Sequence, residues 1–188
     1  MQKPAKIILG IDPGTLVMGY GILEIFGGKM VMKEMQVLKL SPKQNNYQRL
    51  QCIHVKVVEL IHTFKPNEFA IEAPFFGKNV QSMLKLGRAQ GVAIAAAMSA
   101  GLPVTEYSPR KVKQSVTGNG NADKSQVWKM LQQLLTLKEE PDYFDATDAL
   151  AIAVCHHLQM SSIISKTASG FNDWSDFLKK NPQRLAKK

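Results

Sequence analysis

The stretch Lys6 to Gly21, KIILGIDPGTLVMGYG, admits few folds. Ile7-Ile8-Leu9 is the kind of apolar run that makes a strand covered on both faces. Asp12 stands at its end. Pro13-Gly14 then turns the chain, because Pro fixes φ and Gly accepts positive φ. Gly19-Tyr20-Gly21 opens a second strand that returns beside the first. A carboxylate at the end of a buried strand is unfavourable unless something compensates it. Asp12 either caps the Pro-Gly turn through the backbone or binds a metal ion, alone or linked to phosphate. The second reading requires more carboxylates in similar settings.

The chain supplies them. Strands are expected over Met18–Phe26 and Lys29–Leu40, joined by Gly27-Gly28, so that three strands form an antiparallel meander. Tyr47, Leu50, Ile53, Val57, Ile61 and Phe64 mark one face of a helix from Asn45 to Lys65, which Pro66 stops. Glu68–Ala73 repeats the opening device: Phe69-Ala70-Ile71 delivers Glu72 just before Pro74. Phe75, Phe76 and Lys78 follow in a loop that suits either stacking on nucleic-acid bases or capping of the core by one ring; one Phe is expected inside and one exposed. Asn79 caps a helix to about Ala100 that carries Gly87, Gly91 and Ala95 at four-residue spacing, which lets another helix come close, either within the chain or in a second copy. A fifth strand, Val104–Tyr107, leads to a short helix with Ser108 as N-cap and Pro109 at its first position, bearing Arg110, Lys111 and Lys113. Asp123 and Gln126 form a capping box for the next helix. Lys124 sits in that helix's first turn, where the dipole disfavours a cation; a phosphate contact and a lysine facing water both account for it.

Asp145 and Asp148 open a final alanine-rich helix, three residues apart and therefore on one face. An N-cap role explains Asp145. It does not explain Asp148, whose following turns look buried. Four acids thus stand out: Asp12, Glu72, Asp145 and Asp148. The element order, a three-stranded antiparallel meander, then helix, strand, helix, strand and closing helices, is that of the RNase H-like fold. It predicts an α/β protein with a five-stranded mixed sheet, meander plus parallel strands, flanked by helices. The first and fourth strands are then neighbours and their acids meet. Oxygen-only ligands select hard cations, Mg²⁺ or Mn²⁺. Two ions about 4 Å apart activate a water and stabilise the leaving 3′ oxygen in an in-line phosphodiester attack.

Several blocks in order, GIDPGT, FAIE, Lys85–Ala93, Val112-Lys113-Gln114, Lys124–Val127 and DATDALAIA, resemble the RuvC family of bacterial Holliday-junction resolvases over about Ile7 to His157. The resemblance implies that Asp12, Glu72, Asp145 and Asp148 are catalytic, metal-binding acids. It implies that Lys113 and Lys124 lie near the scissile phosphate, and that Phe75 stacks by the junction centre. With Lys78, Arg110 and Lys111 these make the expected DNA-binding set. It further implies two metal ions per site, a homodimer making symmetric nicks in a four-way junction during recombination and repair, and work alongside the RuvA–RuvB branch-migration machinery. Ala73-Pro74 after the catalytic Glu departs from some relatives and bears on how Phe75 is presented.

Charge agrees with a polyanionic partner. The chain has 24 Lys and Arg against 15 Asp and Glu, a net +9, with a pI near 9.6. Setting the four site acids aside leaves 11 acids against 24 bases, an excess of +13. No apolar run is long enough to span a bilayer, no signal peptide is evident, and Cys52 and Cys155 read as buried apolar residues rather than a disulfide. A cytoplasmic protein is expected, with residues 1–160 as the nuclease domain and 161–188 as a basic tail. Two rivals remain. One is an RNase H-like nuclease for another substrate, such as an RNA–DNA hybrid. The other is an actin-like phosphotransferase, for which GIDPGT would serve as the first phosphate loop; the chain shows no second loop and is short for that duplicated fold.

Overall fold

The computed structural model describes residues 5–73, 79–138 and 142–168, with side chains to Ser161. Ten elements follow one another: β1 (Lys6–Asp12), β2 (Val17–Phe26), β3 (Lys29–Lys39), α1 (Asn46–Phe64), β4 (Glu68–Glu72), α2 (Val80–Ser99), β5 (Val104–Tyr107), α3 (Pro109–Thr117), α4 (Lys124–Leu135) and α5 (Phe144–Ala168). The sheet order is β3-β2-β1-β4-β5. β1 pairs antiparallel with β2 and parallel with β4, β2 pairs antiparallel with β3, and β4 pairs parallel with β5. The expected mixed five-stranded sheet is therefore present, with β1 and β4 side by side. Residues 1–157 make one compact unit and Leu158–Lys188 a second.

Local chemistry sets the element ends. Gly27 and Gly28 both have positive φ, 56° and 82°, as the two central residues of a tight β2–β3 hairpin require. Asn45 and Asp123 each close a capping box with the Gln three residues on, and Ser108 caps α3 with Pro109 behind it. In contrast with the sequence expectation, Asp145 is not an N-cap: α5 begins at Phe144 and Asp145 lies inside its first turn. A carboxylate there still gains from the helix dipole, but it is free to point elsewhere.

The period of two along each strand divides the sheet into two faces. Leu9, Ile11, Tyr20, Ile22, Phe69 and Ile71 are buried with Ile53, Val57 and Leu60 of α1 and with Ala89, Ala93, Ala96 and Ala97 of α2. The alternate residues face α5. Three of them are Gly10, Gly19 and Gly21, on two adjacent strands with Gly10 opposite Gly21. A Cβ on Gly10 would come within 2.3 Å of the Ala149 carbonyl oxygen, one on Gly19 within 1.9 Å of the Asp145 carbonyl oxygen, and one on Gly21 within 2.8 Å of the Leu150 Cα. The glycines form a trough in which α5 rests backbone against sheet. The alanines of DATDALAIA suit that depth, and residues 149–155 are at most 1 % exposed.

Candidate active site

The same alternation puts the strand acids where the helix acids can reach them. Asp12 shares a face with Ile8 and Gly10, and Glu72 with Glu68 and Ala70; that face is the one beneath α5. The β1–β4 register runs from Ile8–Glu68 to Ile11–Ile71, so the residues that follow are Asp12 and Glu72. Neighbouring strands lie about 4.8 Å apart, which sets two carboxylates side by side at the carboxyl ends of the central strands.

Asp12, Glu72 and Asp148 line one cleft of about 280 Å³, together with Lys113 and Lys124. Asp145 is not in its lining, but it is close enough to act on Asp12 through its charge. Burial, then repulsion from Glu72, Asp148 and Asp145, pushes the Asp12 carboxyl up to about 8, with Lys124 pulling the other way. Burial, then Asp148, raises Glu72 to about 7, against Lys124 and Lys113. Two carboxylates that hold protons near neutral pH mark a site short of positive charge.

Lys124 partly fills that need. Its Nζ donates to Asp148 Oδ2 at 2.7 Å. Burial alone would lower its pKa; the Asp148 hydrogen bond and the charges of Asp148, Asp145 and Asp12 outweigh it and raise it. Neither expectation for Lys124 foresaw this pairing: the lysine faces an acid, and its side chain stays 54 % exposed, within reach of an incoming phosphate. Among the described residues no three His, Cys, Asp or Glu side chains close up enough to hold an ion as they stand. The donor set nevertheless fits a hard divalent cation: every donor is a carboxylate oxygen, and burial and neighbouring acids disfavour the anions of Asp12 and Glu72.

The other predicted site residues divide. Lys113 reaches the cleft from α3, whereas Arg110 and Lys111 lie exposed on the same helix outside its lining. Arg110 packs against the backbone at Gly120. Phe75 and Lys78 lie outside the described residues, as does most of the basic tail.

Two supporting groups escaped the sequence reading. Gln90 of α2 donates through Nε2 to the Glu72 carbonyl oxygen at 3.2 Å and to Glu106 Oε2 at 2.7 Å, fixing the end of β4. Beneath α5, His156 lies 2.9 Å from the Tyr107 hydroxyl through Nδ1 and 2.6 Å from Glu68 Oε2 through Nε2. Burial lowers the His156 pKa against the pull of Glu68. The ring is therefore neutral: Nε2–H donates to the carboxylate and the Tyr107 hydroxyl donates to Nδ1. Lys6 completes the cluster at 2.6 Å from Glu68 Oε2. A glutamate opening an apolar strand and a histidine in an apolar helix were the only signal available, and distance in sequence hid the pairing.

The family model described as "Crossover junction endodeoxyribonuclease RuvC" matches residues 8–156. A protein of that name from Bacteroides fragilis is 53% identical over 182 residues, covering 96% of this chain and 96% of the relative. Another from Porphyromonas gingivalis is 50% identical over 189 residues, covering 98% and 100%. Among solved structures, Thermus thermophilus RuvC in complex with Holliday junction substrate superposes with a TM-score of 0.79 at 37% identity, over 84% of this chain and 96% of that one. The yeast mitochondrial resolvase Ydc2, at 16% identity and a TM-score of 0.61, shares the fold.

Proposed function

The chain belongs to the RuvC family of crossover junction endodeoxyribonucleases, and from that premise we propose that it resolves four-way DNA junctions by symmetric paired nicks, hydrolysing phosphodiesters with two divalent ions at Asp12, Glu72, Asp145 and Asp148. The observation that carries this reading is the meeting of Asp12, Glu72 and Asp148 with Lys113 and Lys124 in one cleft at the ends of the central strands. Bound among those acids, Mg²⁺ or Mn²⁺ ions would supply an activated water and stabilise the leaving oxygen.

The chain's own residues do the rest. Lys113 and Lys124 attract the scissile phosphate into the cleft. Lys124, which rests on Asp148, would be released toward the phosphate were that acid holding a cation. Gln90 and the Tyr107–His156–Glu68 chain keep β4, β5 and α5 in register, so that the acids need not reorganise. The excess of +13 outside the four acids supplies the sequence-independent hold on the DNA backbone.

A homodimer would place two such clefts for two nicks. The outer stripe of α2 supports that reading: Leu84 and Met98 are 59% and 64% exposed, and a Cβ added at Gly87 or Gly91 would meet nothing within 4 Å. Cooperation with the RuvA–RuvB machinery rests on family membership alone. Among the described residues no helix is long and apolar enough to cross a membrane.

The experiment compares four-way junction, duplex and RNA–DNA hybrid, with and without Mg²⁺, for the wild type, Asp12→Asn and Glu72→Gln. The wild type is expected to cut the junction in opposing strands. Both variants are expected to bind it and leave it intact. Robust cutting by either variant refutes the metal assignment, and preference for the hybrid refutes the substrate.

A further inference from the structure

A second cleft, larger than the acidic one at about 470 Å³, lies between the edge strand β3 and the start of α5; Gln36, Val37, Lys39, Asp142 and Tyr143 line it. The first turn of α5 is the ridge between the two clefts. Ala146 faces the β3 side, while Asp148 and Ala151 face the acids. On that ridge stand two consecutive exposed aromatics, Tyr143 at 39% and Phe144 at 47%. Each carries an ammonium over its ring: Lys39 Nζ is 4.2 Å from the Tyr143 centroid and Lys124 Nζ is 6.0 Å from that of Phe144.

Exposed rings beside lysines are the arrangement that holds unpaired nucleotides, the face taking a base once the ammonium shifts onto the adjoining phosphate. Building on the nuclease reading above, we propose that a strand leaving the acidic cleft crosses Phe144 and stacks one base on Tyr143, with Lys39 on the neighbouring phosphate. Asp142 is exposed in the same cleft, so the phosphate belongs at the Lys39 rim and the base inside. Only an unstacked base presents its face, so this surface takes nucleotides that a junction has opened and rejects those stacked in intact duplex. It is a specificity surface next to the chemistry, and Tyr143 and Lys39 are its determinants.

The test uses the full chain carrying Asp12→Asn, which is expected to bind without cutting, and adds Tyr143→Ala, Tyr143→Phe or Lys39→Ala. Junction affinity is measured across a salt series, with 2-aminopurine placed on either side of the cut position. The Tyr143→Ala variant is expected to weaken junction binding on the order of tenfold and to abolish fluorescence quenching on one side of the cut. The Tyr143→Phe variant should retain both. The Lys39→Ala variant should reduce the salt slope by about 0.9, the contribution of one phosphate. Affinity within twofold and unchanged quenching in Tyr143→Ala would overturn the proposal, as would a fall in thermal midpoint with binding intact, which would assign the pair to packing of α5 against β3. Wild-type junction cutting measured alongside separates the two readings: cutting with unaltered Tyr143→Ala binding sinks this surface alone, and a parent that fails to bind junctions sinks both.

Discussion

Asp12 keeps its proton to about pH 8 because it is buried beside three other acids, and that has a sign that experiment can check. Its pKa lies above the unfolded value of 3.8, and that of Glu72 lies above 4.5, at about 7. Between those limits these two acids hold more protons in the folded state than in the unfolded one, so their contribution to the stability of the metal-free protein falls as pH rises. The depressed acids, Glu68 and Asp123, act the other way below that window, and His156 and His157, which burial holds below 6.5, act the other way up to about that pH. Thermal midpoints in chelator are therefore expected to decline between about pH 6.5 and 8, and Asp12→Asn should remove most of the decline near pH 8. Mg²⁺ replaces the protons, so its stabilising shift should be larger at pH 8 than at pH 6. A midpoint flat across the window, with Mg²⁺ acting equally at both ends, would contradict the crowded-acid account. Lys124 is the counterpart. Lys124→Ala takes a cation off Asp148, so divalent affinity should hold or rise while the single-turnover rate on junctions falls about 100-fold, as for loss of one preorganised charge contact. Weaker metal binding with an unchanged rate would reverse the assignment.

At the scale of elements, the site depends on how deeply α5 sinks into the sheet. The glycine trough makes this measurable. Gly21→Ala puts a methyl 2.8 Å from the Leu150 Cα and backbone nitrogen, atoms that cannot rotate away. Overpacking of this kind costs about 1–3 kcal/mol, and denaturant unfolding should report it. The same change at Gly91, where a Cβ meets nothing within 4 Å, should be neutral or slightly stabilising in a helix; equal losses at both positions would contradict the trough. This contrast also separates what the sequence could tell from what it could not. Asn45, Ser108 and Asp123 cap helices through bonds to residues three positions away, so local reading found the helix starts. Asp12 and Glu72 drew notice because each ends an apolar strand, and Asp148 because apolar turns follow it. The trough was not, since Gly10, Gly19 and Gly21 acquire meaning only once β1 and β2 pair and α5 returns from far along the chain. The Glu68–His156 contact, 88 residues apart, and the Lys39–Tyr143 stack were hidden for the same reason, as was the lodging of Lys124 on Asp148.

For the whole molecule, the decisive matter under the proposed homodimer is how its two clefts would come to face one junction. Leu84, Gly87, Gly91 and Met98 recur at steps of three, four and seven along the outer face of α2, a seam that admits close helix approach. Ala89, Ala93, Ala96 and Ala97 meanwhile bury the inner face in the core. Gln90, next to Gly91, ties that helix to the Glu72 carbonyl, so a seam formed by a second copy would sit one residue from the support of Glu72, one of the proposed metal-binding acids. Gly91→Lys should leave the monomer folded, because the position is open, but it places bulk and charge in the seam. Sedimentation is expected to show a monomer at concentrations where the wild type is a dimer. The remaining activity should nick junctions one strand at a time, so that singly nicked product accumulates before the second cut. A variant that still sediments as a dimer and resolves junctions in a concerted step would show that the two copies meet through another surface.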